Sequence, residues 1–208
     1  MSFTVAIDGP AAAGKGTIAR AIAEHFGLAH LDTGLIYRAV AKQALATGRA
    51  LSDAALTSLA EDLTAKDLAD EHALRTSEIA QMASKIAAVP EVREALVAFQ
   101  RAFAVQDGGA VLDGRDIGTV ICPDADVKLF VDANDDVRAT RRMVELRERG
   151  EPVDFDTVLD AVKTRDQRDR GRALAPLIPA EDAHLIDTSE LSIEEAVARS
   201  IQFVEAAR

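Results

Sequence analysis

Nine residues near the start of the chain have the composition of a loop that binds phosphate. They are Gly9-Pro10-Ala11-Ala12-Ala13-Gly14-Lys15-Gly16-Thr17. The glycines allow backbone N–H groups to turn inward around phosphate oxygens, and a helix that follows adds the partial positive charge of its N-terminus. Lys15 is placed to reach the β and γ phosphates of a nucleoside triphosphate. The segment therefore predicts a nucleotide-binding loop.

This loop departs from the usual phosphate-binding pattern at two positions. Gly16 directly follows Lys15, so the hydroxyl that commonly binds magnesium falls one residue later, at Thr17. Ala12 stands where glycine is common, and we expect it to keep a negative φ because its Cβ disfavours the left-handed region. Thr17 is thus the hydroxyl candidate for a metal ligand.

Arginine is concentrated in two short segments. The chain holds 18 Arg against 6 Lys, with five Arg in residues 138–149 and four in residues 165–172. The planar guanidinium pairs well with phosphate oxygens. A net charge of −11 opposes binding of a nucleic acid polymer. Solvated helix faces would also be rich in Arg, but the clustering favours a small phosphorylated ligand.

Residues 32–38 contain a second group that could hold an anion. Thr33 and Arg38 lie about one helical turn apart, so hydroxyl and guanidinium can reach one phosphate. Taken alone, the pair is explained as well by a Thr N-cap and a surface Arg.

Apolar strands and helices alternate around these residues. Strands are predicted at 3–7, 110–112, 127–131 and 184–187, with a short strand-like piece at 30–31. Helices are predicted at 14–25, 34–47, 53–65, 76–88, 90–104, 135–149 and 155–170. Gly27 is placed to end the first helix, and Ser192 with Glu195 forms a capping box for a last one. The pattern predicts an α/β fold in three layers, with a mainly parallel sheet covered on both faces.

Three parts of the chain are expected to behave differently. The core takes residues 1–32, 104–149 and 176–208, and residues 33–103 form a helical insert. Residues 150–175, between Gly150 and Pro176, are expected to form a small mobile lid. The helix of this lid has little apolar surface in the sequence, so we expect ligand to order it.

Composition limits the other possibilities. A length of 208 residues suits one compact domain, and the single Cys122 excludes an internal disulfide. The first residues lack the basic flank of a signal peptide, and no apolar run has the length of a membrane span. We expect a cytoplasmic monomer without a membrane partner.

Several motifs together resemble one family of kinases. The loop ending Gly-Lys-Gly-Thr, followed by Asp-Thr-Gly-Leu-Ile-Tyr-Arg at 32–38, resembles the nucleoside monophosphate kinases, and in detail the bacterial cytidylate kinases. Residues 75–94, 112–120 and 165–176 extend the match over nearly the whole chain. Asp-Gly-Arg-Asp-x-Gly-Thr at 113–119 is the most family-specific piece. Between Leu63 and Arg75 the chain is shorter than many members, which carry a small β-rich insert there.

The resemblance implies a role for each matching residue. The acceptor phosphate is held by Thr33, Arg38, Arg115 and Arg172. The cytosine edge is read by Ser84, Arg93 and Asp116, and the sugar hydroxyls by Asp169, which Arg165 orients. Along the ATP lie Arg138 and Arg142. Waters around Mg²⁺ are positioned by Asp113. The residues that act in catalysis are Lys15, Asp113, Arg115, Arg142, Arg165 and Arg172.

The implied reaction moves the γ-phosphoryl group of ATP to CMP and dCMP, giving the diphosphates. Cytosine carries an amino donor and ring acceptors, which Asp116 and Arg93 complement, whereas uracil would set a carbonyl against the carboxylate. UMP, AMP or shikimate as acceptor, and a non-catalytic nucleotide-binding module, remain as alternatives. The acceptor phosphate is already ionised, so the transfer needs no general base.

Overall fold

The computed structural model describes residues 2–208, and five strands form a single parallel sheet. The strands are β1 (Thr4–Asp8), β2 (Ala29–Asp32), β3 (Ala110–Gly114), β4 (Val127–Asp132) and β5 (His184–Asp187), in the order β2-β3-β1-β4-β5. Within the sheet, Asp8 is the register partner of Gly114 in β3 and of Phe130 in β4. Every residue of β1 and β3 is buried, so both faces of the sheet are covered. The predicted α/β fold with a mainly parallel sheet is confirmed.

Helices make up most of the remaining chain. They are α1 (Lys15–Phe26), α2 (Thr33–Ala46), α3 (Asp53–Glu61), α4 (Ser77–Ile86), α5 (Pro90–Ala104), α6 (Asp135–Glu148), α7 (Phe155–Arg170) and α8 (Ile193–Ala207). Two local predictions are confirmed. Gly27 ends α1 with φ 67°, and the capping box of Ser192 and Glu195 starts α8. Within residues 2–208, no helix is both long and apolar enough to cross a membrane.

Two elements differ from the prediction. The third helix ends at Glu61 rather than near residue 65, because Thr64 and Asp67 cap a separate 3₁₀ turn at Ala65–Leu68. Residues Ile117–Ile121, which had no assigned structure in the sequence analysis, form one π-helical turn. This turn directly follows the Asp-Gly-Arg-Asp motif and packs on β1 and β3.

The chain divides into two compact units. The first contains the residues up to Leu31 together with Ala104–Arg208, and the second contains Asp32–Phe103. In the first unit α1 and α8 pack over the sheet, around a core that includes Ile18, Ile22 and Val131. The second unit is helical, with α2 packed on α3 and α4. Each unit therefore has its own apolar core.

Helix α7 has an apolar stripe that the sequence analysis missed. Val158 and Val162, four residues apart, are both buried and pack with Ala139 and Leu146 of α6. Residues with this spacing lie on one face of a helix. The expectation of a helix with little apolar surface is therefore wrong, and α6 and α7 form a packed pair.

Candidate active site

The phosphate-binding loop follows β1 at the middle of the sheet. Its neighbours β3 and β4 lie on opposite sides of β1, and the carboxyl end of a strand at such a switch point is where open α/β sheets bind ligands. Gly9 has φ 145°, and a Cβ there would lie 1.9 Å from the Val131 carbonyl oxygen, so no side chain fits. Gly14 has φ 98° and starts α1. The Lys15 ammonium is buried and donates to the Pro10 carbonyl at 2.9 Å.

Ala12 corrects one expectation for this loop. Its φ is +61°, in the left-handed region, whereas we expected a negative value. A left-handed non-glycine residue costs roughly 1 kcal/mol. The two neighbouring carbonyls are held in place, because Arg138 Nη1 donates to Ala11 at 3.2 Å and Thr188 Oγ1 donates to Ala13 at 3.0 Å. Long-range bonds to the loop thus impose the strained backbone angle.

Three predicted arginines surround the buried carboxylate of a fourth predicted residue, Asp169. Asp169 is 1% exposed. Arg115 Nε donates to its Oδ2 at 3.0 Å, Arg172 Nη2 bonds its Oδ1, and Arg165 Nε lies 3.8 Å from Oδ2. Burial raises the pKa of Asp169, but the charges of Arg115, Arg165 and Arg172 together outweigh it and hold the pKa below its usual range. This group, the Asp169 cluster, carries three positive charges against one negative charge.

Four further predicted residues belong to the second unit, namely Thr33, Arg38, Ser84 and Arg93. Thr33, Ser84 and Arg93 are buried and lie in three different helices, α2, α4 and α5. Arg93 Nη1 donates to the Ala87 carbonyl at 3.3 Å, and its guanidinium lies 5.9 Å from the centre of the Tyr37 ring. Arg93 is therefore a buried charge held by contacts within the second unit, and its role at the acceptor base stays a prediction.

Hydrogen bonds and an ion pair hold the turn that starts the second unit. Arg38 Nη1 donates to the Leu74 carbonyl at 3.2 Å. The Asp32 carboxylate accepts the Gly34 N–H at 2.9 Å, which caps α2, and also pairs with Arg75 at 2.8 Å. These contacts fix the start of α2, where Thr33 is the first residue and Arg38 lies in the second turn.

Two buried acidic residues of the first unit lie near the carboxyl end of β3, Asp113 within the strand and Asp116 just after it. Asp113 is 5% exposed, and its Oδ2 shares a hydrogen bond of 2.8 Å with His30 Nε2 of β2. Asp116 is also buried and precedes the π-helical turn. His30 was not among the predicted residues, and only its position near the end of a strand beside β3 could have indicated it. The pair holds the Asp113 carboxylate in one orientation.

Arg138 does not occupy the predicted position along a base. Its side chain is 1% exposed and donates to the Ala133 carbonyl at 2.9 Å as well as to Ala11. It also forms ion pairs with Asp135 and with Asp166 of α7. A guanidinium that is enclosed in this way cannot stack on adenine, so Arg138 instead supports the phosphate-binding loop. Arg142 pairs with Glu145 at 2.7 Å on the surface of α6.

A cavity of about 250 Å³ lies beside the phosphate-binding loop. Its lining consists of Ala12, Ala13, Gly14, Thr17, Ile18, Arg141, Glu145, Thr188, Leu191, Ser192, Ile193 and Ala196. Arg141 Nη1 and Nη2 donate to the Thr188 side chain and carbonyl at 2.9 and 2.7 Å. Sequence analysis missed Arg141 and Thr188, although Arg141 belongs to an Arg cluster and Thr188 follows β5. Thr17 lies in this lining, and none of its described contacts joins it to Asp113.

A parallel sheet with a phosphate-binding loop at its switch point and a buried arginine cluster defines the chain as a P-loop nucleotide phosphotransferase. The family model for cytidylate kinase matches residues 5–206, and the chain belongs to this family. The resemblance inferred from the sequence motifs is thereby confirmed.

Relatives named cytidylate kinase are similar to the chain over nearly its full length. The protein of Methylocella silvestris is 57% identical over 204 residues, which cover 98% of this chain and 94% of the relative. That of Agrobacterium fabrum is 54% identical over 208 residues, covering 100% and 99%. Among solved structures, an uncharacterized protein from Eubacterium ventriosum aligns with a TM-score of 0.59 over 99% of both chains. At 16% identity this likeness concerns the fold alone.

Proposed function

We propose that the protein transfers the γ-phosphoryl group of ATP to CMP, giving CDP and ADP, and that it also accepts dCMP. The observation that carries the proposal is the Asp169 cluster. Three guanidinium groups gather around one buried carboxylate, and guanidinium groups that converge in this way suit the phosphate of a small nucleotide. The family of the chain supplies the acceptor that this chemistry alone does not specify.

In the proposed transfer, positively charged side chains position the two phosphates and stabilise the charge on the transferred group. Lys15 would leave the Pro10 carbonyl and bind the β and γ phosphates of ATP, because a bond to an anion is stronger than one to a neutral carbonyl. Arg115 and Arg172 would hold the acceptor phosphate, and Arg142 and Arg165 would approach the transferred group as its charge spreads. An ionised phosphate oxygen attacks without a general base. The absence of a histidine in this role is therefore no obstacle.

The donor set also fits Mg²⁺. Magnesium prefers oxygen ligands and keeps several waters. The buried Asp113 carboxylate, oriented by His30, would hold such waters, and the Thr17 hydroxyl is the second candidate ligand. When bound, the ion neutralises charge on the phosphates of ATP.

We assign the adenosine of ATP to the cavity of about 250 Å³ beside the loop. Its lining offers Arg141 and a set of small and aliphatic side chains, which suits a flat heterocycle. Arg141 replaces Arg138 in the role along the base, because Arg138 is enclosed.

The acceptor base would be read by polar groups that complement cytosine. Asp116 would accept from the cytosine amino group, Arg93 would donate to its ring acceptors, and Ser84 would complete the edge. Thr33 and Arg38 would add to the grip on the acceptor phosphate. In this proposal residues 33–103 act as the acceptor-binding insert, and residues 150–175 act as a lid that excludes water and carries Arg165, Asp169 and Arg172.

A coupled assay of ATP consumption with CMP, dCMP, UMP, AMP and shikimate tests the proposal. We expect kcat/KM for CMP to exceed that for UMP by about 100-fold or more, because unpaired polar groups would meet uracil. Lys15→Ala should abolish turnover with every acceptor, while the exposed Lys42→Ala serves as the matched control. A better rate with AMP or shikimate, or ATP binding without acceptor-dependent turnover, would contradict the proposal.

A further inference from the structure

Asp8 is a buried carboxylate at the carboxyl end of β1 to which the proposed reaction gives no role. Its side chain is 3% exposed. One carboxylate oxygen accepts the Ile117 N–H at 2.8 Å, and the other accepts the Gly118 N–H at 2.7 Å. These N–H groups open the π-helical turn, and the residue before it, Asp116, makes no side-chain cap. Asp8 therefore caps a turn that lies 109 and 110 residues further along the chain.

Close packing keeps this turn against the sheet. A Cβ on Gly118 would lie 3.2 Å from Lys128 Cδ and 3.4 Å from Asp8 Oδ2. Lys128 is itself held by Asp182 at 2.8 Å. A side chain on Gly118 would require its neighbours to move by a few tenths of an ångström, so the turn is closely packed at this position.

We propose that Asp8 is a positioning residue for the acceptor nucleotide, because its carboxylate fixes the turn that presents Arg115 and Asp116. The inference rests on the proposed function, in which Arg115 holds the acceptor phosphate and Asp116 reads cytosine. Asp8 directly precedes Gly9, the first residue of the phosphate-binding loop. One side chain thus joins the strand that carries the donor loop to the turn that carries the acceptor contacts.

The cap requires the ionised form of Asp8. A carboxylate accepts with both oxygens, whereas a protonated carboxyl group has an O–H donor that would oppose one of the two N–H groups. Burial raises the pKa of Asp8 to about 6, the two N–H bonds lower it, the charge of Asp116 raises it and Lys15 lowers it. The register neighbours in β3 and β4 carry no charge, and Lys128 is paired with Asp182. The cap is therefore complete above about pH 6 and is lost below it.

Asp8→Asn tests the role, since it keeps the size of the side chain and removes one acceptor. We expect KM for CMP to rise about tenfold or more, because a bond to a charged group is lost, while KM for ATP stays within about threefold. Asp126→Asn is the control. Asp126 accepts the Thr4 N–H at 2.7 Å at the opposite end of β1, and its loss should leave both KM values within about twofold.

The dependence on pH separates positioning from simple loss of stability. The ratio of the CMP dissociation constants of Asp8→Asn and wild type should be large at pH 7.5 and approach one below the Asp8 pKa of about 6. Both proteins bind the same ligand, so the titration of the CMP phosphate cancels in this ratio. A ratio that does not change with pH, or equal rises in KM for CMP and ATP, would overturn the inference.

If Asp8→Asn does not fold, the cap can still be tested on the wild-type protein by NMR. Its Gly118 amide resonance should shift with pH around a midpoint near 6, as the carboxylate that it donates to is protonated. A resonance that shows no titration anywhere between about pH 3 and 7.5, a range that includes the ordinary pKa of Asp, would refute the cap. Failure of the proposed function would instead be seen in the wild-type acceptor assay, before any variant is compared.

Discussion

Asp8 and Asp169 are both buried carboxylates beside the candidate active site, and their surroundings shift their pKa values in opposite directions. Asp8 is bonded by two neutral backbone N–H groups, and burial raises its pKa to about 6. Asp169 is surrounded by Arg115, Arg165 and Arg172, and their charges hold its pKa below the usual range despite its burial. Backbone dipoles alone do not offset desolvation here, whereas three full charges do.

The difference separates two tasks. The Asp169 cluster gathers three guanidinium groups around one carboxylate, and their charges keep that carboxylate ionised to a lower pH than is usual for Asp. Asp8 supports the shape of a turn, and its ionisation falls within reach of mild acid. The same side chain therefore serves ligand charge at one position and backbone geometry at the other.

Removing one arginine of the Asp169 cluster should reduce activity more than any other substitution considered below. Arg172→Ala removes one of three positive charges at the acceptor phosphate, and we expect kcat/KM for CMP to fall by about a thousandfold or more. The free energy of unfolding should change far less than the activity, because Asp169 keeps Arg115 and Arg165 as charged partners. Steady-state kinetics and urea unfolding measure both quantities. Arg170→Ala, an exposed Arg two residues earlier, is the control, and full activity of Arg172→Ala would refute the assignment.

Asp116 is connected to both buried carboxylates, Asp8 and Asp169. It directly follows Arg115 of the Asp169 cluster, and its charge raises the pKa of Asp8. Asp116→Ala should reduce the preference for CMP over UMP by about 100-fold, because the cytosine amino group loses its acceptor. Rates with both acceptors give this ratio. Asp124→Ala, an exposed acidic residue beyond the turn, should leave the preference unchanged. Unchanged selectivity in Asp116→Ala would contradict the proposed reading of the base.

The two carboxylates should affect stability in different pH windows. The folded pKa of Asp8 lies above the unfolded value of 3.8, so its contribution is fully present below that value and is lost as the pH rises through about 6. A rise of the pKa from 3.8 to about 6 corresponds to a loss on the order of 3 kcal/mol. The lowered pKa of Asp169 has the opposite sign, and its contribution is lost only as the pH falls below the usual range.

Urea unfolding of wild type and Asp8→Asn between pH 4 and about 7.5 measures this contribution. The difference in unfolding free energy between the two proteins should become less favourable to wild type as the pH rises. A difference that stays constant over this range would show that Asp8 does not change its ionisation there.

The smallest expected change in the free energy of unfolding comes from a substitution in the loop between Asp8 and α1. Ala12→Gly relieves the strain of φ +61° but increases the entropy of the unfolded chain, so the free energy of unfolding should change by less than about 0.5 kcal/mol. Ala11→Gly, at a position without positive φ, should cost about 0.5–1 kcal/mol. Equal losses for the two variants would contradict the strain at Ala12.

Local signals in the sequence predicted most elements, and long-range contacts produced the errors. The end of α1 at Gly27 and the capping box of α8 depend on neighbours within a few residues, and both predictions are confirmed. Arg138 was misassigned because its partner Asp166 lies 28 residues away. The sign of φ at Ala12 follows from bonds to Arg138 and Thr188, which no local pattern could indicate.

In the candidate site, too, local motifs guided the prediction and long-range contacts were missed. The resemblance of the motifs to the cytidylate kinases was sufficient to select Arg115, Arg165, Asp169 and Arg172, and the structure brings these four together. The contacts of Asp8 and the Arg141–Thr188 pair span 109 and 47 residues, and nothing in either local sequence points to them. Assignment of the bound groups to these residues stays a prediction for the experiments above.

The apolar pairing of α6 and α7 has a consequence for the thermodynamics of nucleotide binding. Because Val158 and Val162 are already buried against α6, α7 does not have to fold when ligand arrives. Binding would then move a formed helix rather than order a disordered one, and little additional apolar surface would leave water. Calorimetry should accordingly record a modest heat-capacity change on closure, and the entropic cost of ordering a helix would not weaken the affinity for nucleotide.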